Sequence, residues 1–382
     1  MEKIYLDHAA TSPVHPKVID KMINVLNQSF GNPSSIHSYG REARALLDES
    51  RTLIAQSIHA QFNEIVFTSG GTEADNYAII GVAEAMKEKG KHIITTKIEH
   101  HAVLHTCEYL EKQGFEITYL EVNEKGQVAV EEVKAALRDD TILVTIMYGN
   151  NEVGTIQPIK EIGELLKDHQ AYFHTDAVQA YGVLKINVED LNVDLLSVSA
   201  HKINGPKGIG FLYIKTGTKL VSRLHGGEQE LKRRAGTENI TSIVGFAEAV
   251  KIAQEMMDEK QKLFLQFKQK FVEILEKQQI DYQINGFVET NSLPHLLNIS
   301  FPGTDVEAML VNLDLAGIAA SSGSACTAGS IEPSHVLVAM FGKNSERLRN
   351  SIRFSFGLGN TLDEIEKAAN EVGAIVRRVS RK

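Results

Sequence analysis

Runs of apolar residues alternate with segments of helical spacing through most of the chain. Runs of roughly four to eight apolar or β-branched residues predict strands, and apolar residues that recur every three or four positions predict helices. The predicted strands are Glu64–Thr68, His92–Thr96, Glu116–Glu121, Ile142–Tyr148, Ala171–Thr175, Leu195–Val198 and Ile209–Ile214. The predicted helices between them are Thr72–Lys89, Ala102–Gln113, Val130–Leu137 and Ile159–Lys167. This alternation predicts an α/β fold with a mostly parallel central sheet covered by helices on both faces.

The two ends of the chain follow a different pattern. An extended arm of residues 1–15 precedes two predicted helices, Lys17–Gln28 and Ile36–His59, and a long helical stretch runs from Thr241 to about Gln279. Predicted strands near His295–Ser300 and Arg349–Phe356 belong to a smaller α+β unit. We therefore predict a large domain of residues 16–258 and a small domain made of residues 1–15 and 259–382.

Composition narrows the class of protein. A chain of 382 residues that is 43% hydrophobic can bury a large core, and its net charge of -9 without a basic stripe argues against nucleic-acid binding. No apolar run is long enough to span a bilayer, and no spacing of His and Cys is typical of a metal site. The two cysteines, Cys107 and Cys326, suit a reducing compartment. These features predict a cytoplasmic protein without a metal.

In sheets of this kind, ligands gather at the carboxyl ends of the strands. Lys202 lies just past the apolar run Leu195–Val198 and before the Gly-Pro-Lys-Gly turn that starts at Gly205. Partial burial lowers the pKa of a lysine towards the neutral amine that Schiff-base chemistry needs. The alternative is a solvated turn lysine, which is the ordinary state of this residue type.

Four further strand ends carry polar side chains. The segment Thr68–Asn76 is either an anion cradle at a helix N-terminus or an ordinary helix start with Thr72 as its N-cap. His100 is placed to stack on a flat heteroaromatic ring or is a structural histidine, and the polar loop from Tyr148 to Gly154 also reads as a plain turn. Asp176 is a partner for a protonated pyridine nitrogen or a helix cap. An anion cradle, a stacking histidine, a carboxylate and Lys202, in this order along the chain, together fit pyridoxal 5'-phosphate (PLP), a phosphorylated pyridine aldehyde that binds to a lysine.

One cysteine has an unusual setting. Cys326 lies among small residues in Ser-Ser-Gly-Ser-Ala-Cys-Thr-Ala-Gly, from Ser321 to Gly329, where it has little to pack against. Cys107 instead lies on a predicted amphipathic helix, which is typical of a buried cysteine. We interpret Cys326 as a nucleophile on an exposed, mobile loop.

Ten segments, in order, resemble one family. They read YLDHAATSP, FGNPSSIH, TSGGTEADN, EHHAVL, NNEVG, HTDAVQ, SAHKINGPKG, RRAGTEN, SSGSAC and IRFSFG, and they extend over essentially the whole chain. The chain resembles the NifS/IscS-type cysteine desulfurases of the class V aminotransferase group, which have the fold of type I PLP enzymes. SSGSAC is the most specific segment, because it separates desulfurases from related aminotransferases.

The resemblance implies a role for each matching residue. Lys202 would bind PLP covalently, Asp176 would pair with its pyridine nitrogen, and Gln179 would hydrogen-bond its phenolic oxygen. His100 would stack on the ring and take part in proton transfer. The phosphate and its surroundings would be held by Gly71, Thr72, Ser199 and His201, with Thr237 reaching it from a second subunit. The substrate would be bound by Asn151, beside the cofactor, and by Arg353, which would clamp its carboxylate.

The implied activity is removal of sulfur from L-cysteine, with L-alanine as product. The thiolate of Cys326 would take the sulfur as a persulfide and pass it to an acceptor protein, either an iron–sulfur scaffold or a tRNA-thiolation enzyme. A homodimer with shared active sites is implied as well. The alternatives are a selenocysteine lyase, an aminotransferase of the same fold, and an assembly platform that delivers no sulfur.

Overall fold

A computed structural model describes residues 3–322 and 333–380. Twelve strands lie in these described ranges. They are β1 Ile4–Tyr5, β2 Ile65–Thr68, β3 His92–Thr96, β4 Glu116–Leu120, β5 Thr141–Thr145, β6 Tyr172–Asp176, β7 Leu195–Ser199, β8 Gly210–Ile214, β9 Gln283–Asn285, β10 Leu296–Ser300, β11 Ile318–Ala319 and β12 Ser351–Ser355. Each predicted strand overlaps one of them.

The helices surround and connect these strands. They are α1 Pro16–Gln28, α2 Ser38–Ser57, α3 Gly71–Met86, α4 His101–Glu111, α5 Val130–Ala136, α6 Ile159–Leu166, α7 Gln229–Lys232, α8 Ile240–Glu255, α9 Met257–Lys277, α10 Val306–Leu315, α11 His335–Phe341 and α12 Leu362–Val379. No helix among the described residues is long and apolar enough to cross a membrane.

The central sheet has seven strands in the order β2-β8-β7-β6-β5-β3-β4. Only β8 runs against the others, pairing antiparallel with β7 on one side and β2 on the other. The predicted mostly parallel α/β fold is therefore confirmed. Because β3, β5, β6 and β7 are parallel, their carboxyl ends lie at the same edge of the sheet. This is the edge where ligands bind in sheets of this kind.

A second core lies apart from the central sheet. It combines the three antiparallel strands β12-β10-β9 with α9, α10 and α12, and the N-terminal residues Ile4 and Leu6 are buried in it. The strand β1 pairs with β11, so the arm that begins the chain is tied to this second unit. The predicted domain limits at residues 15, 16, 258 and 259 stay a prediction.

The predicted continuous helix from Thr241 to Gln279 is wrong in one respect. The chain breaks at Met256, whose φ of -103° and ψ of 4° end α8 and begin α9. Residues of α8 such as Phe246 belong to the core of the central sheet, whereas Phe267 of α9 belongs to the second core. Because of this break, the apolar side chains of α8 pack in one core and those of α9 in the other.

The start of α3 also differs from the prediction. Gly70, with φ 151°, is the N-cap, so Thr72 lies inside the first turn and does not cap the helix. No side chain caps this helix, which leaves N–H groups of the first turn available to a ligand. A side chain at Gly71 would collide with Val178, because an added Cβ would lie 2.8 Å from its Cγ2.

A buried ion pair holds the segment between β8 and α8. Glu230, Leu231 and Lys232 have φ values of 49°, 59° and 67°, a left-handed turn that costs free energy in residues other than glycine. The guanidinium of Arg51 pairs with the carboxylate of Glu230 through two contacts of 2.7 Å. The same carboxylate accepts the N–H of Phe67 at 2.8 Å. These bonds fix the strained turn against the start of the central sheet.

Replacing Arg51 by Met should therefore destabilise the protein strongly. The Glu230 carboxylate would stay buried without its partner, and we expect the free energy of unfolding to fall by about 3–5 kcal/mol in urea titrations. The matched control is Arg44→Met, which breaks the solvent-exposed pair with Asp48 and should change the free energy by less than about 1 kcal/mol. Equal losses in the two variants would contradict the importance of the buried pair.

Candidate active site

A cavity of about 370 Å³ opens at the carboxyl edge of the central sheet. Ten of the predicted site residues line it: Gly71, Thr72, His100, Asn151, Asp176, Gln179, Ser199, His201, Lys202 and Arg353. Thr237 does not line it and is exposed. Cys326 lies outside the described residues. The fold thus brings together, as the strand-end rule predicts, residues that are up to 282 positions apart, from Gly71 to Arg353.

Lys202 lies in the wall of this cavity, in the short helical turn Ala200–Lys202 that follows β7. Its Nζ donates to the carbonyl oxygens of Ala9 at 2.6 Å and Ala10 at 2.8 Å. Burial, helped by the charge of Arg353, lowers the pKa of Lys202 to about 8. A useful fraction of neutral amine is therefore present near neutral pH, which a solvated turn lysine would lack.

Two buried carboxyl groups lie at the floor of the cavity. Asp176 ends β6 and its Oδ1 accepts the N–H of Val178 at 2.9 Å. Asp75 on α3 is buried, and within residues 3–322 and 333–380 its Oδ1 has no hydrogen-bond partner. Burial raises the pKa of both groups, and the charge of Asp176 raises that of Asp75 further. His174 Nε2 is 3.6 Å from Asp75, but burial lowers the pKa of this imidazole to about 3, so it supplies no positive charge.

The N-terminus of α3 also lines the cavity. Gly71 and Thr72 begin the helix there, and Ser199 and His201 from the end of β7 face the same space. The open N–H groups and the helix dipole favour an anion at such a position. His201 stays neutral, since burial lowers its pKa to about 4, and its Nδ1 is 3.1 Å from Thr11 Oγ1.

His100 and Gln179 lie on two further walls. His100 is the N-cap of α4: its Nδ1 accepts the N–H of Ala102 at 3.1 Å, so the neutral ring carries its hydrogen on Nε2. The imidazole is exposed at the mouth of the cavity, yet crowding by protein atoms and the charge of Lys202 lower its pKa to about 4. Gln179 is buried and its Nε2 donates to Ala9 O at 2.9 Å.

Arg353 of β12 brings a positive charge from the second core to the cavity. Its Nη1 donates to Asn151 O and its Nη2 to Asp7 Oδ1, both at 2.9 Å. The Nε of this buried side chain has no hydrogen-bond partner among the described residues. Asp7 was missed by the sequence analysis, although its place just after β1, in the first recognised segment, was a usable signal.

The described residues on both sides of the segment that contains Cys326 contact the cavity walls. Before it, Ser321 pairs with Arg353 through two backbone hydrogen bonds of 3.2 and 2.6 Å. After it, the hydroxyl of Ser334 bonds to the carboxylate of Glu152, and His335 Nε2 lies 2.8 Å from Glu99 O. Glu152 and His335 both line the cavity and were not predicted as site residues. The sequence analysis had singled out the polar loop from Tyr148 to Gly154, which contains Glu152, but had given a role only to Asn151.

Comparison with known proteins agrees with the family resemblance seen in the sequence. Residues 4–368 match the family described as aminotransferase class-V. The chain belongs to the class-V aminotransferase family. A curated relative, the putative cysteine desulfurase IscS 1 of Bacillus subtilis, is 62% identical over 380 residues and covers 100% of each chain. With this match, the resemblance to NifS/IscS-type cysteine desulfurases is confirmed within the class-V family.

Two solved structures are similar over nearly the whole length. One, titled a NifS-like protein, has a TM-score of 0.92 and 36% identity, and covers 99% of this chain and 100% of its own. The other, SspA in complex with cysteine, has a TM-score of 0.80 and 38% identity, and covers 93% of this chain and 99% of its own. Members of the class-V family of this type are PLP-dependent enzymes, so the predicted cofactor is confirmed.

The residues of the cavity fit that cofactor. The two buried carboxyl groups at its floor need a cationic or hydrogen-bonding partner, which a protonated pyridine ring supplies. The uncapped N-terminus of α3 suits a phosphate group, and Lys202 provides an amine for an aldehyde. Among the described residues, no group of His, Cys, Asp or Glu could hold a metal ion.

The lowered pKa of Lys202 can be tested in the protein without cofactor. The neutral amine forms as the pH rises through about 8, so the rate of acetylation of Lys202 should be half-maximal near that pH. Mass spectrometry of the acetylated peptide measures the rate, and the same peptide in urea is the control, with a midpoint near 10.4. Asp176→Asn should lower the midpoint further, because the Asp176 charge raises this pKa. Equal midpoints in folded and unfolded protein would contradict the assignment.

Proposed function

We propose that the protein is a cysteine desulfurase that takes sulfur from L-cysteine onto Cys326 and releases L-alanine. One observation carries the proposal: the described residues that flank Cys326 are attached to the walls of the cavity that contains Lys202 and Arg353. The chain therefore enters and leaves the Cys326 segment at the place where a substrate would bind. The cysteine desulfurases among its relatives support the same activity.

PLP supplies an electron sink for the bond changes at the substrate's α- and β-carbons. Lys202 would bind it and, once displaced by the substrate amine, would move the Cα proton as a neutral amine. The two carbonyl acceptors of Ala9 and Ala10 position its Nζ in the cavity wall. We propose that His100, neutral and with its hydrogen on Nε2, stacks on the ring and assists this proton transfer.

The other contacts orient the ring. Asp176 would keep the pyridine nitrogen protonated, and Gln179 would donate to the phenolic oxygen. Gly71, Thr72, Ser199 and His201 would hold the phosphate, through the α3 N-terminus and the end of β7. Each role uses a donor or acceptor that already faces the cavity, so the side chains need little rearrangement.

Arg353 and Asn151 would hold the substrate. The unpartnered Nε of Arg353, together with one of its Nη groups, can donate two parallel hydrogen bonds to a carboxylate. Asp7 now occupies Nη2, so the substrate carboxylate competes with an internal one. Asn151 lies beside the arginine, since its own carbonyl accepts from Nη1.

Sulfur transfer then needs one nucleophile. The thiolate of Cys326 attacks the substrate sulfur, an S–S bond forms, and the bond from that sulfur to the substrate Cβ breaks. The electron pair of the broken bond stays with the carbon skeleton, which takes up a proton and leaves as L-alanine. The enzyme keeps a persulfide on Cys326, and we propose that an iron–sulfur scaffold protein or a tRNA-thiolation enzyme accepts the sulfur in the cytoplasm.

We further propose a homodimer. Four exposed apolar residues, from the last turn of α1 through the connecting loop to the first turn of α2, form a surface that we call the α1–α2 patch: Leu26, Phe30, Ile36 and Tyr39. The rings of Phe30 and Tyr39 contact each other with centroids 4.9 Å apart. Burial of such a patch against a second copy is favourable, and monomeric proteins rarely expose one.

The position of Thr237 supports the same dimer. A groove lined by Ser34, Leu231 and Glu238 joins the loop of the α1–α2 patch to the segment that carries Thr237. Thr237 is exposed and does not reach the cavity of its own chain. A second, open groove adjoins the cavity at Thr72, on the phosphate side. We propose that Thr237 of a second copy enters there.

Changing Cys326 to Ala should abolish persulfide formation, because no other thiol can take its place. PLP binding should persist, and alanine and sulfide release from L-cysteine should fall to the level without enzyme. Amino-acid analysis and mass spectrometry of the protein with and without L-cysteine measure both effects. The control is Cys107→Ala, which removes the fully buried second cysteine and should keep persulfide formation. Undiminished alanine release by the Cys326 variant would overturn the assigned role.

Changing Phe30 to Asp should weaken the dimer. Phe30 is 79% exposed in the single chain, and a charge at this point of the α1–α2 patch would be costly to bury. Sedimentation equilibrium should give about twice 42.2 kDa for the unchanged protein and a mass near 42.2 kDa for the variant. Leu315→Asp is the control, since Leu315 is 75% exposed on α10, away from the patch, and should leave the mass unchanged. A monomeric unchanged protein would rule out the proposed dimer.

A further inference from the structure

A second, much smaller cavity lies behind the cofactor cavity. Its volume is about 40 Å³, and Gln179 and Lys202 line both spaces and so form the partition between them. On the far side of this partition the wall includes His8 and His295. Neither histidine belongs to the set of residues that the family resemblance implies, and both are buried.

The side chain of Gln179 has two distinct contacts. Its Nε2 donates to Ala9 O at 2.9 Å, and its Oε1 lies 3.3 Å from Nε2 of His295. A carboxamide oxygen only accepts, so His295 must be the donor in this contact. One N–H of Gln179 is used by Ala9, and the other remains for the cofactor cavity.

The protonation of His295 follows from its surroundings. The ring is fully enclosed, and burial lowers its pKa to about 3, with the charges of Lys268, His8, Lys202 and Arg353 acting in the same direction. His295 is therefore neutral and carries one ring hydrogen, which the contact with Gln179 assigns to Nε2. Its Nδ1 is then an acceptor, and it has no protein partner.

The opposite orientation of the carboxamide is disfavoured for two reasons. With oxygen and nitrogen exchanged, the Gln179 oxygen would face the carbonyl oxygen of Ala9 at about the same 2.9 Å, and two acceptors would repel. His295 would also have to carry its hydrogen on Nδ1, for which the described residues offer no hydrogen-bond acceptor. The cofactor cavity would then receive an acceptor from Gln179 in place of a donor.

We propose that His295 is a positioning residue: by donating to Gln179 Oε1 it fixes the carboxamide so that Gln179 presents a donor to the phenolic oxygen of the cofactor. This inference rests on the proposed function, because it assigns to Gln179 the phenolic oxygen as its acceptor. The inference assigns to His295, 116 positions from Gln179, a part in setting whether Gln179 presents a donor or an acceptor to the cofactor.

The small cavity suits water as the remaining partner of the His295 ring. A volume of about 40 Å³ accommodates a small number of water molecules. His295 Nδ1 and both ring nitrogens of His8 are buried polar atoms that no protein hydrogen bond of normal geometry reaches. A side chain at position 357 would close this space, because a Cβ on Gly357 would lie 2.1 Å from His8 Nδ1.

The test uses the visible absorption band of the PLP-loaded enzyme. A donor at the phenolic oxygen stabilises the form that has lost its proton, so removing the donor raises the pH midpoint of the band. His295→Leu should raise this midpoint by roughly half to one pH unit. His295→Gln keeps an N–H at similar reach and should bring the midpoint back to near that of the unchanged enzyme.

A double-mutant cycle separates positioning from packing. Gln179→Ala should itself raise the midpoint, and adding His295→Leu to it should cause no further rise. A midpoint that does not move in His295→Leu, or a rise of equal size with and without Gln179, would overturn the proposal.

A second measurement does not depend on the cofactor. Nitrogen-15 NMR of the histidine rings in the protein without PLP should find His295 neutral with its hydrogen on Nε2. A hydrogen on Nδ1 overturns the inference whether or not PLP binds. An enzyme that develops no visible band with PLP instead refutes the proposed function, so the two failures are distinguishable.

Discussion

The contact of the Lys202 amine with two backbone carbonyls organises the site. Ala9 and Ala10 belong to the arm that begins the chain, and Lys202 follows a strand of the central sheet 193 positions later. The carbonyls hold the amine in place without neutralising it, because they carry no net charge. Burial can then lower its pKa, whereas a direct carboxylate partner would raise it. The arm also supplies Asp7 to Arg353 and the Ala9 acceptor to Gln179, so one short segment orients three functional side chains.

Neutral histidines lie in and around the cavity. His100 and His201 line it, His174 and His295 are buried beside it, and desolvation lowers the pKa of all four. Positive charge at the cavity is thereby concentrated on Lys202 and Arg353, and Asp176, with a pKa of about 6, supplies negative charge near neutral pH. Such a separation of charges suits a zwitterionic amino acid and a cofactor that is anionic at its phosphate end and cationic at its ring.

The sequence predicts most of this arrangement because the carboxyl ends of parallel strands lie at the same edge of a sheet. The strand-end rule brought Lys202 and Asp176 together as candidates for one cofactor, although each alone could also be read as a turn lysine or a helix cap. The break at Met256 could not be predicted, since neither Gly nor Pro marks it and both helices bury apolar faces. The choice between the two interpretations of the α3 start could not be made either, because Gly70 acts as the N-cap through its backbone and leaves no side-chain signature. The pairings Asp7–Arg353 and His295–Gln179 join residues 346 and 116 positions apart, which local patterns do not connect.

The Asp7–Arg353 pair has a consequence for selectivity. An arginine that already has a carboxylate partner gains from a ligand only the difference between two similar interactions. A thiol amine without a carboxyl group, such as cysteamine, would offer nothing to replace Asp7 and would leave the pair closed. In the proposed substrate complex, an amino acid with a carboxylate would exchange with Asp7 and could leave again at little cost. The internal carboxylate would then compete with substrate and product for Arg353, which favours rapid exchange over tight retention.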